Sequence, residues 1–275
     1  MTTRFRLGLV SNCWWRQLAA GDSLFDLVGM ARERGLTHFE MRQSALGSCE
    51  NSDLFPIPER LGDLARSSTD CSFNLAIAFP FFDVTRKAAD PLFKRAREAA
   101  QSLSPDQPHL RLVDLESHLS ATAETHLDER IDHVCELAES MRELGGVLSI
   151  ENSPFQPWPI LHQLLRGCQK KLGEREATLK LCFDPCNLFP KERLLVPTAI
   201  RQLVATDMSM LHFKQRQGEG VDTRFCDGEL NWSDQLRGVE EIDYRGLGLF
   251  EITAADEFWA NLDSSLEYLN SLDLP

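Results

Sequence analysis

Eight short apolar or β-branched runs recur along the chain roughly every 30 to 40 residues, the length of one βα unit with its loops. Between them lie longer stretches of helical periodicity, so the pattern is that of repeated βα units. The predicted strands are FRLGLVS from Phe5, THFEMR from Thr37, SFNLAIAF from Ser72, HLRLVDL from His109, GVLSIE from Gly146, LKLCFD from Leu179, MLHFK from Met210 and LGLFEI from Leu247. Amphipathic helices are clearest from Ser23, from Asp128 and from Asp256. Gly35 and Gly145 fall just past two of these helices, where a left-handed cap turns the chain into the next strand. Eight such units in 275 residues predict an α/β fold, a single (β/α)8 TIM barrel occupying 1–275 as one domain. Buried parallel strands should be nearly continuous in hydrophobicity, and Asn74 is an exception.

In such a barrel all eight strands point their C-terminal ends at one face, so residues far apart in sequence meet there. Each of the last four strands ends on, or near, a side chain able to bind metal: Glu151, Asp184, His212 and Glu251. An ion buried at a strand end costs several kcal/mol, on the order of the penalty for any uncompensated charge, and a divalent cation would offset three carboxylates together. One cation shared by the four is the expectation. Three carboxylates and an imidazole suit Mn²⁺, Mg²⁺, Co²⁺ or Zn²⁺.

Glu40 and Arg42 alternate on the second strand and so share a side, from which they reach the mouth or form an internal salt bridge. Lys214, two residues after His212, is placed to contact substrate or to neutralise an excess carboxylate. Trp14 and Trp15 follow the first strand, and Phe79, Phe81 and Phe82 the third. They are read as aromatic walls for a sugar face, or as core. His118, His126, His133 and His162 fall in helices or loops and are read as surface or packing residues.

A net charge of −13 repels phosphate backbones, which argues against nucleic acid and for a small polar substrate. The eight cysteines form no C-x-x-C pair and read as reduced thiols. No apolar run reaches membrane-spanning length and the start does not read as a signal peptide, so a cytoplasmic protein free of the membrane is expected.

SIEN at Ser149–Asn152, FDPCN at Phe183–Asn187, LHFK at Leu211–Lys214, DGELNW at Asp227–Trp232 and FEIT at Phe250–Thr253 follow one another in an order and spacing of their own. With HFEMR after the first helix, the chain resembles the xylose-isomerase-like sugar isomerase and epimerase superfamily, which also contains metal-dependent apurinic endonucleases. Resemblance to the ketose 3-epimerase type implies that Glu151, Asp184, His212 and Glu251 bind the cation. It further implies that Glu151 and Glu251 are the catalytic pair, moving a proton between the faces of a carbon beside a carbonyl through an enediolate. A homo-oligomer is expected by the same analogy.

The chain departs from that pattern in three places. Asn187 stands where those enzymes carry a substrate-binding histidine, Pro157 where they carry a glutamate, and Gly218 where they carry an arginine. Asn187 can still bind a hydroxyl, and Arg216 can reach the site from another position. A lyase or dehydratase would share the opening steps, and a non-catalytic metabolite-binding barrel is a further alternative. The endonucleases use extra histidines on strands three and four and an Asp-x-His pair, where this chain has LAIAFPFF, His118 alone, and Asp227 with Glu229. Nuclease activity is therefore disfavoured.

Overall fold

The computed structural model describes residues 5–115, 126–192, 196–218 and 220–272. The eight expected strands are present as β1 (Arg6–Val10), β2 (His38–Arg42), β3 (Ser72–Ala78), β4 (His109–Val113), β5 (Val147–Glu151), β6 (Leu179–Phe183), β7 (Met208–Phe213) and β8 (Leu247–Phe250). Each pairs in parallel with its sequence neighbours, and β8 pairs with β1, which closes the barrel. Asp184, Lys214 and Glu251 lie just past the last paired residues, on the loops that form the mouth.

Helices α1 (Leu24–Arg32), α2 (Pro58–Ser67), α3 (Pro91–Leu103), α4 (Leu127–Arg142), α5 (Trp158–Leu172), α6 (Pro185–Glu192), α7 (Trp232–Glu241) and α8 (Phe258–Ser271) follow successive strands. Side-chain caps start several of them. Ser23 Oγ accepts from Phe25 N at 3.2 Å, and Asp90 Oδ1 from Leu92 N at 2.9 Å. Gly35 (φ 83°) and Gly145 (φ 71°) adopt the left-handed conformation expected after α1 and α4. Each donates to a carbonyl of its helix's last turn, Arg32 O and Arg142 O. Among the described residues no helix is long and apolar enough to cross a membrane.

Strand alternation sorts the side chains into two layers. Outward residues such as Leu9, Phe39, Leu75, Ile150 and Phe250 join the large core between barrel and helices. Among the described residues the lumen holds a small apolar cluster: Val10, Cys182, Met210, Leu247 and Leu249. The rest of its centre is polar, which explains Asn74. Its amide donates to Glu40 Oε2 at 2.8 Å, and its carbonyl oxygen lies 2.8 Å from His38 Nε2.

The aromatic-wall reading is corrected here. Trp14 is fully buried in the outer core, its ring 6.0 Å from Phe39 and 6.4 Å from Phe258, facing away from the lumen. Phe79, Phe81 and Phe82 are buried in the same core, because burying large apolar area outweighs leaving it at a wet mouth. Trp15 is exposed.

Burial pushes the His38 imidazole down to about 3 and His109 to about 4. Unfolded imidazoles, with pKa values of about 6.5, bind protons these two refuse, so their contribution is complete above that value and is lost as pH falls towards 4. Urea denaturation should show stability falling by up to about 1.4 kcal/mol per pH unit per histidine below pH 6.5. His38→Gln should flatten that slope; an unchanged slope refutes the assignment.

Candidate metal centre

Glu151 ends β5, Asp184 follows β6, His212 is the penultimate residue of β7, and Glu251 follows β8. One ligand atom from each lies within 4.8 Å of the others, and all four residues are buried. His212 Nδ1 is 2.8 Å from Glu251 Oε2, 3.6 Å from Glu151 Oε1 and 3.7 Å from Asp184 Oδ2. Asp184 Oδ2, His212 Nδ1 and Glu251 Oε2 are buried without a well-directed hydrogen bond. Lys214 pairs with the two oxygens, and the convergence of three buried ligand atoms on one point fits a cation.

Each carboxylate is held by one oxygen and presents the other to that point. Arg111 donates to Glu151 Oε2, and Asn12 Nδ2 to Glu251 Oε1 at 2.7 Å. Asp184 Oδ1 accepts from the backbone amides of Cys186 and Asn187 at 2.9 and 3.2 Å, at the start of α6. Asn152 clamps the ends of β5 and β6 together: its Nδ2 donates to Asp184 O at 2.7 Å and its Oδ1 accepts from Asp184 N at 2.8 Å. Asn187 Nδ2 donates to Glu151 Oε1 at 3.0 Å.

On its other side, His212 Nε2 faces Cys182 Sγ at 3.2 Å. Burial pushes the Cys182 thiol up to about 12, so it stays protonated and does not supply a thiolate ligand. Burial disfavours the His212 imidazolium, but Cys182, Glu251 and Asp184 outweigh it and hold its pKa well above the usual range, so in the metal-free centre Nδ1 carries a proton towards the acids, which a cation would displace. Burial raises the Glu251 pKa, but Lys214 and His212 outweigh it and hold the carboxyl well below its usual range. Asp184 is lowered in the same sense by Lys214. Both stay ionised near neutrality, as ligands must.

Lys214 settles into the neutralising role. Its Nζ lies 2.5 Å from Asp184 Oδ2 and 2.6 Å from Glu251 Oε2, the two oxygens that face the shared point. A buried ammonium there both balances the acids and repels an incoming cation. Lys214→Met is therefore expected to tighten divalent-cation binding by about tenfold or more and to lower the melting temperature of the metal-free protein. Calorimetric titration with Mn²⁺ and Zn²⁺ checks this, and weaker binding in the variant would contradict it.

Glu40 requires a correction as a substrate contact. It is fully buried beneath the mouth, accepting from Arg111 Nε at 3.1 Å and, through its other oxygen, from Arg111 Nη2. Its salt bridge is thus with Arg111 of β4, whereas Arg42 stays half-buried at the end of β2 and donates to Gln43 O at 3.1 Å. Arg216 begins a two-stranded hairpin (Arg216–Gln217 with Gly220–Val221), and its side chain reaches the Cys186 thiol beside Asp184.

Asp227 and Glu229 hold the loop after that hairpin, accepting from Tyr268 Oη at 2.8 Å and Gly218 N at 2.6 Å. His126 is exposed, His133 is buried in α4 and His162 stacks on Trp158, all away from the centre; His118 lies outside the described residues. The eight cysteines are free. Arg111, Asn12 and Asn152 were missed in the sequence. Asn12 and Asn152 follow strand-end positions, and Arg111 has the inward parity of His109, so strand alternation held a signal for each.

The sequence matches the model of the xylose isomerase-like TIM barrel family over residues 31–272. No curated protein matches it. Among solved structures, a xylose isomerase-like TIM barrel/4-hydroxyphenylpyruvate dioxygenase fusion protein superposes with a TM-score of 0.71 at 15% identity; the match covers 98% of this chain and 42% of the fusion. IolI protein with a bound zinc atom gives 0.68 at 12% identity, covering 97% of this chain and 96% of that one. D-psicose 3-epimerase from Clostridium cellulolyticum H10, solved with D-tagatose, gives 0.62 at 14% identity, covering 98% and 92%. At these identities the superpositions establish the fold. With the family match spanning most of its length, the chain belongs to the xylose isomerase-like TIM-barrel family.

Proposed function

We propose that this protein is a divalent-cation-dependent isomerase or epimerase of a small keto sugar or related hydroxy-ketone, with Glu151, Asp184, His212 and Glu251 as the cation's ligands. The reading is carried by the convergence of one ligand atom from each of Glu151, Asp184, His212 and Glu251 within 4.8 Å of one another, all four buried. A zinc atom in one structural relative and a sugar ligand in another support it. The cation would supply a Lewis acid that polarises the substrate carbonyl and stabilises the charge developing on its oxygen.

The chain's own part is proton transfer. Glu151 and Glu251 approach the shared point from β5 and β8, so a carbon between them is met on two faces. One carboxylate takes the proton beside the carbonyl and the other returns it. Anchoring by Arg111 and Asn12 leaves each acid one oriented oxygen, which restricts the attack to a single geometry. Asn187 in the first turn of α6, Arg42 at the end of β2 and Arg216 at the start of the hairpin would bind substrate hydroxyls.

The test is elemental analysis of the purified protein followed by a deuterium-exchange screen of keto sugars and inositol-like ketones in D₂O. About one cation per chain and exchange at the carbon next to the carbonyl, abolished by a chelator, is the expected result. Protein that takes up no divalent cation at all would refute the reading.

A further inference from the structure

The four candidate ligands come from β5 to β8 and the loops just past them, one half of the barrel. The facing half is polar in the lumen as well. Glu40 on β2, Asn74 on β3 and Arg111 on β4 are each at most 1% exposed, and Glu40 accepts from both of the others. A buried ion pair is often no more stabilising than apolar side chains of the same volume, so fold stability alone does not account for a carboxylate sealed from water here.

Glu40 reaches two of the candidate ligands. The Arg111 guanidinium donates to both Glu40 oxygens and, through Nη1, to Glu151 Oε2. Across the lumen, Glu40 Oε1 lies 3.6 Å from His212 Nε2, the ring nitrogen opposite the one that faces the acids. Cys182 Sγ faces the same Nε2 at 3.2 Å, but sulfur is a weak acceptor beside a carboxylate. A carboxylate behind a metal-binding imidazole keeps a proton on the far nitrogen and turns the near one to the cation. Asn74 fixes the arrangement, donating to Glu40 Oε2 at 2.8 Å while its own oxygen lies 2.8 Å from His38 Nε2.

The charge acts in the same direction. Arg111 alone beside Glu151 would neutralise that ligand and repel a cation. With Glu40 on its other side, two carboxylates share one guanidinium, and an excess negative charge remains at the centre.

We propose that Glu40 is a positioning residue of the metal centre, orienting His212 directly and Glu151 through Arg111, and keeping the local charge negative for a divalent cation. Glu40 is not itself among the ligands, and its role rests on the cation-dependent reading given above.

The experiment compares the full chain with Glu40→Gln and with Leu164→Ala, which removes buried apolar volume from α5 outside the barrel. Calorimetric titration reads Zn²⁺ affinity, and absorption reads the visible bands of bound Co²⁺, which report the geometry of its ligands. Glu40→Gln is expected to weaken Zn²⁺ binding about 10- to 100-fold and to shift the Co²⁺ bands, whereas Leu164→Ala lowers the melting temperature and leaves both unchanged. Should Glu40→Gln not fold, Asn74→Ala takes its place: it releases Glu40 Oε2 but keeps the carboxylate, and weaker binding with shifted bands is expected again. Wild-type affinity and bands in whichever of the two folds overturn the proposal and leave the cation reading standing. Equal weakening in Leu164→Ala assigns the effect to stability and overturns it too. Failure of the unaltered chain to bind either ion overturns both.

Discussion

Arg111→Met should destabilise the protein by about 3–5 kcal/mol, the cost of removing one partner from a buried ion pair. The guanidinium lies in the middle of the lumen, 1% exposed, bridging Glu40 on β2 and Glu151 on β5. Its two partners are as buried as it is, so the substitution strands two carboxylates where water cannot reach them. Lysine is not an adequate substitute, since a single ammonium cannot reproduce the fork that spans two acids. Urea denaturation of the metal-free protein measures the effect, and adding Glu40→Gln to Arg111→Met should recover part of the loss. A change below about 1 kcal/mol would show that the triad contributes nothing the fold needs.

The second large effect is expected at Glu251. Glu251→Gln keeps the size of the side chain and an oxygen to accept from Asn12, but removes the base. Solvent-deuterium exchange into a turned-over substrate should fall by about 10²–10⁴, the usual contribution of a positioned general base, with the melting temperature little changed. Unchanged exchange would remove Glu251 from proton transfer. Asn12→Ala, which frees the anchored oxygen but leaves the carboxylate, should produce a smaller loss.

The strands themselves were legible, and with them the mouth, because in–out alternation and helical periodicity are local properties of the chain. Asp184, His212, Glu151 and Glu251 could be read as one group for that reason: parallel closure brings their strand ends to one face. Asn74 shows where the reading ran out. An isolated polar residue in an apolar run has no local explanation; its partners His38 and Glu40 are 36 and 34 residues away. Trp14 meets the same limit, since both a wall and a core position were open to it. Its position after β1 does not say whether the turn Ser11–Trp14 aims the ring at the lumen or at α8.

What the sequence by itself determined is the set of βα units, their order, and the face on which the four candidate ligands must end. Only the tertiary structure decided which oxygen of each carboxylate is anchored and which is presented, that Lys214 shares two of the presented ones, and that Glu40 pairs with Arg111 instead of Arg42. Periodicity follows from the backbone geometry of each segment, whereas charge pairing depends on distances of a few ångströms between strands, which the register of the closed barrel sets.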